Sequence, residues 1–332
     1  MSIAVVILNW NGLALLKTYL PSVVKYSKQA QIYVIDNAST DGSVDFLKHD
    51  YPTINCIKNS ENTGYAGGYN RGLKSVKEDI HILLNNDVEV TKDWLLPLKN
   101  IFESQPHVAV VQPKILDASQ RDYFEYAGAA GGFLDFFGYP YCRGRIFSTI
   151  EKDNGQYDQD IEILWASGAC LAIRKDIFEK ANGFDETYFA HQEEIDLCWR
   201  IFNQGYKILY SHKSCVYHLG GGTLETLDPK KTFLNFRNSL FNILKNTAFP
   251  LSLLIIFIRL IFDGLACFRF LFQWQWPHIF AILKAHFSFY ANFFRILKKR
   301  ESISKSFKRY YHSRSIVYQY FILKNKIFKK IG

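Results

Sequence analysis

Several things that this sequence lacks narrow it first. Its six cysteines, at positions 56, 142, 170, 198, 215 and 267, form no Cys-x-x-Cys pair and no regular spacing. That argues against a disulfide framework and fits reduced, mostly buried thiols in a cytosolic setting. The apolar run Ser2–Leu8 is broken at once by Asn9, Asn11 and Gly12, so no signal peptide is expected. No internal repeat is visible. No Gly-x-Gly-x-x-Gly follows the first run, where Gly12 stands alone, which disfavours a nicotinamide or flavin site. Residues 249–297 are strongly apolar, yet the longest charge-free stretch there, Asn246–Ile258, falls short of the ~20 residues that a spanning helix needs. Acid is almost absent from the end of the chain. From Arg295 onward twelve Lys and Arg face one acid, Glu301, so this segment carries +11 of a formal total of +9 and the remainder sits near −2. The basicity belongs to an appendage that asks for an anionic partner.

What is present supports a large core. The 332 residues are 48% apolar and 16% aromatic, enough for one large domain plus an appendage and too apolar for global disorder. The first half alternates strand and helix patterns. Ile3–Leu8, Ile32–Ile35, Thr53–Lys58 and His81–Leu84 read as strands; Leu13–Tyr26, Ser43–Lys48 and Gly67–Val76 read as helices. Such alternation predicts a parallel, helix-covered sheet whose ligands sit beyond the carboxyl ends of the strands, where Asn9, Asp36 and Asp87 fall. Asp117–Asp160, rich in Gly, Tyr and Phe, reads as a long loop or small insertion. Strand character resumes over Trp165–Arg174, and Ile195–Gln204 is a helix stopped by Gly205.

Five clusters have the chemistry of a site. Asp36-Asn37-Ala38-Ser39-Thr40-Asp41 ends a strand, where a carboxylate accepts hydrogen bonds from a base or ribose; the same residues also make ordinary turns. The Gly-rich turn Asn62-Thr63-Gly64 to Asn70-Arg71-Gly72 opens a helix and lets backbone N–H groups approach a diphosphate. Asn85-Asn86-Asp87 offers oxygen ligands to a hard divalent cation, Mg²⁺ or Mn²⁺, which shares its other positions with phosphate. Glu193, Glu194 and Asp196 crowd a helix start; they suit capping there, and their repulsion lifts one toward a working base. His218, beside Gly220-Gly221-Gly222-Thr223, can reach a metal or phosphate, and Arg237 suits diphosphate clamping.

In this order the pieces resemble glycosyltransferase family 2, in its rhamnosyltransferase-like branch. The resemblance rests on Val6 to Gly12, Val34 to Ser43, Asn62 to Gly72, Leu84 to Asp87, Ser167 to Cys170, Gly183 to Glu186, Glu193 to Leu197 with Arg200, His218, and Arg237-Asn238. It implies an α/β fold of GT-A type, a Rossmann-like, mostly parallel sheet flanked by helices, over residues 1–246. It also implies an inverting transfer from a nucleoside-diphosphate sugar. Asn9, Asp36, Asn37, Asp41, Gly64, Asn70, Asn86 and Arg237 would line the donor, with Asp36 on the base. Asp87 and His218 would hold the metal. Glu194 would be the catalytic base, with Glu193 and Asp196 orienting acceptor or loop. Glu194 stands where the family pattern has Asp, and Asn85 where the metal motif often has an acid. The implied acceptor is a glycan or lipid-linked glycan of cell-surface polysaccharide synthesis, and rhamnose is the branch's habitual sugar.

Residues 247–332 read as membrane-associating helices with a polybasic tail. At ~100° per residue, Arg259, Asp263, Arg269 and Gln273 fall within an arc of roughly 120°, and Lys284, Ser288, Asn292 and Arg295 form a second stripe. One-sided polar stripes on aromatic-rich helices predict a peripheral or monotopic element on an anionic cytoplasmic membrane face; packing on the catalytic domain and true spanning are the other readings. A non-catalytic nucleotide-sugar or carbohydrate-binding protein on the same fold is the alternative function. A nucleic-acid partner is not expected, because the basic tail adjoins amphipathic helices.

Overall fold

The computed structural model describes residues 1–220, 228–300 and 309–331; the Gly221-Gly222-Thr223 run and Lys305 and Lys308 lie outside them. The strands β1 (Ile3–Asn9), β2 (Gln31–Asp36), β3 (Asn55–Lys58) and β4 (Ile80–Asn85) lie parallel in the order β3-β2-β1-β4. They are joined through α1 (Leu13–Tyr26), α2 (Ser43–Asp50) and α3 (Gly64–Gly72). Successive β1 side chains feed opposite cores, as the two-residue strand period requires. Val5 and Ile7 join the cluster holding Leu16, Leu20 and Val23 of α1, a single helical stripe; Ala4 and Val6 join the cluster holding Tyr69 of α3.

After β5 (Val88–Val90) and α4 (Leu95–Ser104), β6 (Val108–Asp117) extends the sheet. The glycine- and aromatic-rich stretch that follows is an insertion with its own four-stranded antiparallel sheet, β7 (Gly132–Leu134), β8 (Pro140–Cys142), β9 (Arg145–Ile146) and β10 (Thr149–Ile150). Strands of two or three residues are too short to leave an alternating signature. The main sheet is completed by β11 (Ile161–Ile163), β12 (Cys170–Arg174) and β13 (Lys207–His218). β12 inserts antiparallel between β4 and β6, while β13 runs parallel to β6 and carries β5 and β11 antiparallel. The expected strand Trp165–Arg174 is shorter than predicted, because Trp165 turns aside to bridge Gly132, its indole Nε1 donating to the Phe133 carbonyl at 3.0 Å.

Beyond α5 (Lys175–Lys180) and α6 (Glu193–Asn203), three helices make a separate core: α7 (Pro229–Asn246), α8 (Leu251–Phe272) and α9 (Trp276–Lys298). Leu240, Phe241, Ile243 and Leu244 meet Ile255, Ile256, Phe289, Ile296 and Tyr188 there. The predicted polar stripe on α8 exists, but its first half points inward. Arg259 and Asp263 are only 2% and 1% exposed. Arg259 donates to the Phe137 carbonyl (3.0 Å) and Ser239 Oγ (2.9 Å) and lies over the Tyr139 ring; Asp263 Oδ2 is 3.0 Å from His286 Nε2. Arg269 and Gln273 are exposed. The outward face is apolar: Leu254, Phe257, Ile261, Leu265 and Phe268 on α8, and Phe280, Leu283, Phe287, Tyr290 and Phe294 on α9. Among the described residues α8 alone is long and apolar enough to cross a membrane.

The segment 309–331 is a strap on the insertion sheet. His312 N donates to the Leu134 carbonyl, Phe136 N to the Ser313 carbonyl, and Ile316 N to Asp135 Oδ2, each at 2.9 Å. Ile316, Tyr320 and Ile331 enter the main core, while Arg314, Lys324, Lys326, Lys329 and Lys330 point outward. The basic appendage is therefore built into the fold through its apolar residues.

Candidate functional site

The carboxyl ends of β1, β2 and β4 form one polar shelf. Asn9 and Asp36 are register partners, and Asn86 Nδ2 donates to Asn9 Oδ1 at 2.9 Å, tying the β4 turn to β1. A Cβ at Gly12 would overlap both amides, so the shelf needs glycine there. Asp36 Oδ2 accepts from Ser39 N at 3.0 Å, whereas its Oδ1 is buried with no hydrogen-bond partner among the described residues. A buried carboxylate oxygen left without a donor is costly unless a ligand supplies one. Asn37 and Asp41 serve as scaffold. Asn37 Nδ2 donates to Asn62 Oδ1 and the Gly64 carbonyl, and Asp41 accepts from Leu13 N (2.8 Å) and Ser43 Oγ (2.5 Å), fixing the starts of α1 and α2.

Topology delivers the next pair. β5 pairs with the end of β13, matching Val88 with His218, so His218 arrives beside Asp87 from 131 residues further along. His218 Nε2 is 3.1 Å from Asp87 Oδ1, and Leu219 N donates to the Asp87 carbonyl at 3.1 Å. A third group, absent from the sequence reading, completes the cluster: Glu125 Oε1, in the turn after β6, lies 3.3 Å from His218 Nδ1. All three side chains are buried. Burial alone would lower the imidazole pKa, but Glu125 and Asp87 outweigh it and hold it at about 10.

The acids at the start of α6 have unlike surroundings. Asp196 is wholly buried and saturated, accepting from Arg200 Nε (2.8 Å), Lys245 Nζ (2.9 Å) and Asn246 Nδ2 (3.0 Å). That makes it a structural tie between α6 and α7, shut off from solvent. Glu193 is buried with Oε2 unpartnered among the described residues; burial, then the Glu194 charge, push it well above the carboxylate range. Glu194 is half-buried, and burial raises it to about 7.

The loop before these acids is held in an unusual conformation. Phe189, His191 and Gln192 have φ of 64°, 67° and 68°, left-handed values that cost a non-glycine residue ~1–3 kcal/mol each. Clamps offset that cost. Asn238 Nδ2 donates to the carbonyls of Tyr188, Ala190 and His191, and Arg237, lying over Phe233 and Phe241, donates to those of Thr187 and Tyr188. Gly64, with φ of 72°, meets the Phe189 carbonyl so closely that no Cβ would fit. Asn70 grips the Phe184 backbone with both amide atoms, at 2.8 and 2.9 Å. Gly64, Asn70 and Arg237, expected on the donor, thus each contact the segment leading to α6.

Shelf and acids belong to one region. Asn85 N donates to the Ala169 carbonyl, the neighbouring Gly168 carbonyl accepts from Tyr65 Oη at 2.9 Å, and the Tyr65 phenol, raised chiefly by burial, also feels Glu193 and Glu194. The Cys142 thiol, raised by burial to about 11, feels both Glu125 and Glu194.

A half-parallel nucleotide-type sheet with buried oxygen ligands at its strand ends, in the same region as a raised carboxylate, is the arrangement of a GT-A type glycosyltransferase. Comparison with known proteins agrees. Residues 4–181 match the glycosyl transferase family 2 model, more than half of the chain, and the protein belongs to that family. Its relatives place it in the rhamnosyltransferase-like branch. It is 25% identical over 206 residues to the N-acetylglucosaminyl-diphospho-decaprenol L-rhamnosyltransferase of Mycobacterium tuberculosis, covering 58% of this chain and 67% of that protein. To the rhamnosyltransferase WbbL of Escherichia coli it is 26% identical over 154 residues, covering 44% and 57%. Among solved structures, GalNAc-T7 with UDP, GalNAc and Mn²⁺ shares the fold at a TM-score of 0.57 and 18% identity, over 73% of this chain and 47% of that one. The chain thus spans about half the length of that neighbour.

Proposed function

We propose that this protein is an inverting, divalent-metal-dependent glycosyltransferase of cell-surface polysaccharide synthesis. It moves a sugar, rhamnose first among candidates, from a nucleoside-diphosphate donor to a hydroxyl of a glycan or lipid-linked glycan at the cytoplasmic membrane face. The observation that carries this reading is the pairing of a buried Asp87–His218 pole with a raised, half-buried Glu194 in one region.

The residues fit a divalent cation. Asp87 Oδ1 is buried and accepts no hydrogen bond among the described residues, and His218 Nε2 stands beside it. Among those residues no cage of three metal-binding side chains occurs. Mg²⁺ and Mn²⁺ sites of this kind take one or two protein ligands and complete their shell with phosphate and water. When bound there, the metal neutralises charge developing on the departing diphosphate. The relative solved with UDP and Mn²⁺ supports both components. Asp36, with its free Oδ1, accepts from the base; Asn9 and Asn86 fix the shelf beside it. Glu194 takes the proton of the acceptor hydroxyl as that oxygen attacks the anomeric carbon, and the neutral Glu193 next to it leaves Glu194 the proton-accepting member of the pair. The apolar faces of α8 and α9 support residence at the membrane.

The test is a panel of nucleotide sugars assayed for hydrolysis and transfer with and without Mn²⁺, first on the native protein and then on Glu194→Gln. Removing the base should cost ~10²–10⁴-fold in transfer while leaving donor binding intact. Unchanged transfer by Glu194→Gln overturns the assignment.

A further inference from the structure

Glu125 has no place in the reading above, yet it is among the most deliberately placed acids in the chain. It lies within the insertion, outside every motif that pointed to the site. Phe124 bridges back to Leu116, Glu125 N donates to the Ile115 carbonyl at 3.1 Å, and Ala127 N donates to Glu125 Oε2 at 2.6 Å. This folds the carboxylate under the end of β13, where Ala118 N donates to the His218 carbonyl at 3.0 Å. One oxygen is thereby held by backbone, and the other, Oε1, lies at ion-pair distance, 3.3 Å, from His218 Nδ1, which has no hydrogen-bond partner among the described residues. Gly220 packs against the same oxygen: a Cβ there would stand 3.3 Å from Oε1.

The imidazole of His218 is therefore bracketed. Its Nε2 has Asp87 Oδ1 at 3.1 Å and Asn85 Nδ2 at 3.5 Å, and its Nδ1 has Glu125. A ring that binds a metal keeps one proton, on the nitrogen away from the cation, because the metal takes the place of the other. A carboxylate on the far nitrogen settles that choice, fixes the ring plane and makes the free nitrogen more basic.

Resting on the metal reading of Asp87 and His218, we propose that Glu125 is a positioning residue for the cation: with the cation bound, its Oε1, now 3.3 Å away, takes a hydrogen bond from Nδ1–H of His218 and so keeps Nε2 free for the metal beside Asp87. The insertion then does more than cover the sheet, because it supplies the carboxylate that the strand end lacks at Asn85, at one remove from the metal.

The test is Mn²⁺ binding to the full chain, followed by electron paramagnetic resonance, with wild type compared against Glu125→Ala, Glu125→Gln, Asp87→Asn and His218→Ala. Asp87→Asn and His218→Ala should abolish binding. Glu125→Ala should weaken it ~10–100-fold, the usual cost of losing such a partner. Glu125→Gln, whose amide oxygen still accepts from Nδ1–H, should recover most of that loss. Wild-type affinity in Glu125→Ala alongside loss in Asp87→Asn overturns the role of Glu125 and leaves the metal site standing. Wild-type affinity in all four overturns both. ¹⁵N NMR of the Mg²⁺-loaded protein reads the tautomer directly and needs no substitution: a protonated Nδ1 with unprotonated Nε2 on His218 is expected, and the reverse tautomer sinks the proposal.

Discussion

Glu193 and Glu194 are chemically identical neighbours that burial has made unlike. Glu193 is sealed in and stays protonated, so the negative charge of the pair, when it appears, is on Glu194, whose pKa stands at about 7. A base must be unprotonated to accept the acceptor's proton. Below pH 7 the competent fraction of Glu194 shrinks, so kcat/KM should fall about tenfold per pH unit on the acid side and level off above it. A pH–rate profile checks this; an acid limb centred near the ordinary carboxylate pKa would detach the limb from Glu194. Much at this scale was legible in the sequence, because an apolar run that stops abruptly at Asn9, Asp36 or Asn85 marks a strand end. What the sequence left ambiguous was use. Asn37, Asp41 and Asn70 are residue types that suit ligands and turns equally, and here they hold backbone. Glu125 carried no signal: it lies in an aperiodic stretch, and only the pairing of β13 with β5 and β6 brings His218 to it.

At the scale of elements, the segment 187–192 is a strained loop kept in place by its neighbours. α7 supplies Arg237, Asn238 and Lys245; α9 is followed directly by Lys299, whose Nζ donates to Asp185 Oδ1 (2.6 Å) and Thr187 Oγ1 (2.5 Å). Burial of Asp185 works against its charge, but Lys245 first and then Lys299 hold its pKa far below the usual range. The proposed base, Glu194, thus follows a loop positioned by helices outside the nucleotide-type sheet. Asn238→Ala removes donors to three carbonyls and should lower stability by about 1–3 kcal/mol in urea unfolding. It should also lower kcat, by as much as ~10²-fold if Glu194 shifts by an ångström, with donor affinity unchanged. An equal loss in donor affinity would show that Asn238 acts on the shelf instead. The helix wheel of α8 illustrates the limit of sequence reading: periodicity reveals that Arg259 and Asp263 share a side, but not that Tyr139, Ser239 and His286, from three distant segments, wait to receive them.

For the molecule as a whole, the proposed membrane residence requires a surface suited to lipid. Phe257, Phe268 and Phe287, at 63%, 61% and 75% exposed, sit on the outer faces of α8 and α9, with Trp274 and Trp276 at the turn between them. Arg269 of α8 lies over the Phe321 ring of the strap, which brings exposed Ile322 and Leu323 to the same flank, followed by Lys324, Lys326, Lys329 and Lys330. An apolar plateau with basic residues beside it is the composition of a surface that settles into an anionic interface. Truncation after Asn246 would be a poor probe, since it strips Phe289 and Ile296 from one core and Ile316, Tyr320 and Ile331 from another. Substitutions on the exposed face avoid that problem. Phe257→Glu with Phe268→Glu should abolish flotation with vesicles while leaving Tm unchanged, because neither ring is packed. Reversing Lys324, Lys326, Lys329 and Lys330 to Glu should leave the apolar contribution intact and cost more than ~1 kcal/mol per residue, on phosphatidylserine vesicles only, with the difference fading at high salt. If the double phenylalanine variant floats like the native chain, α8 faces something other than lipid, and the strap's lysines must then account for any binding on their own.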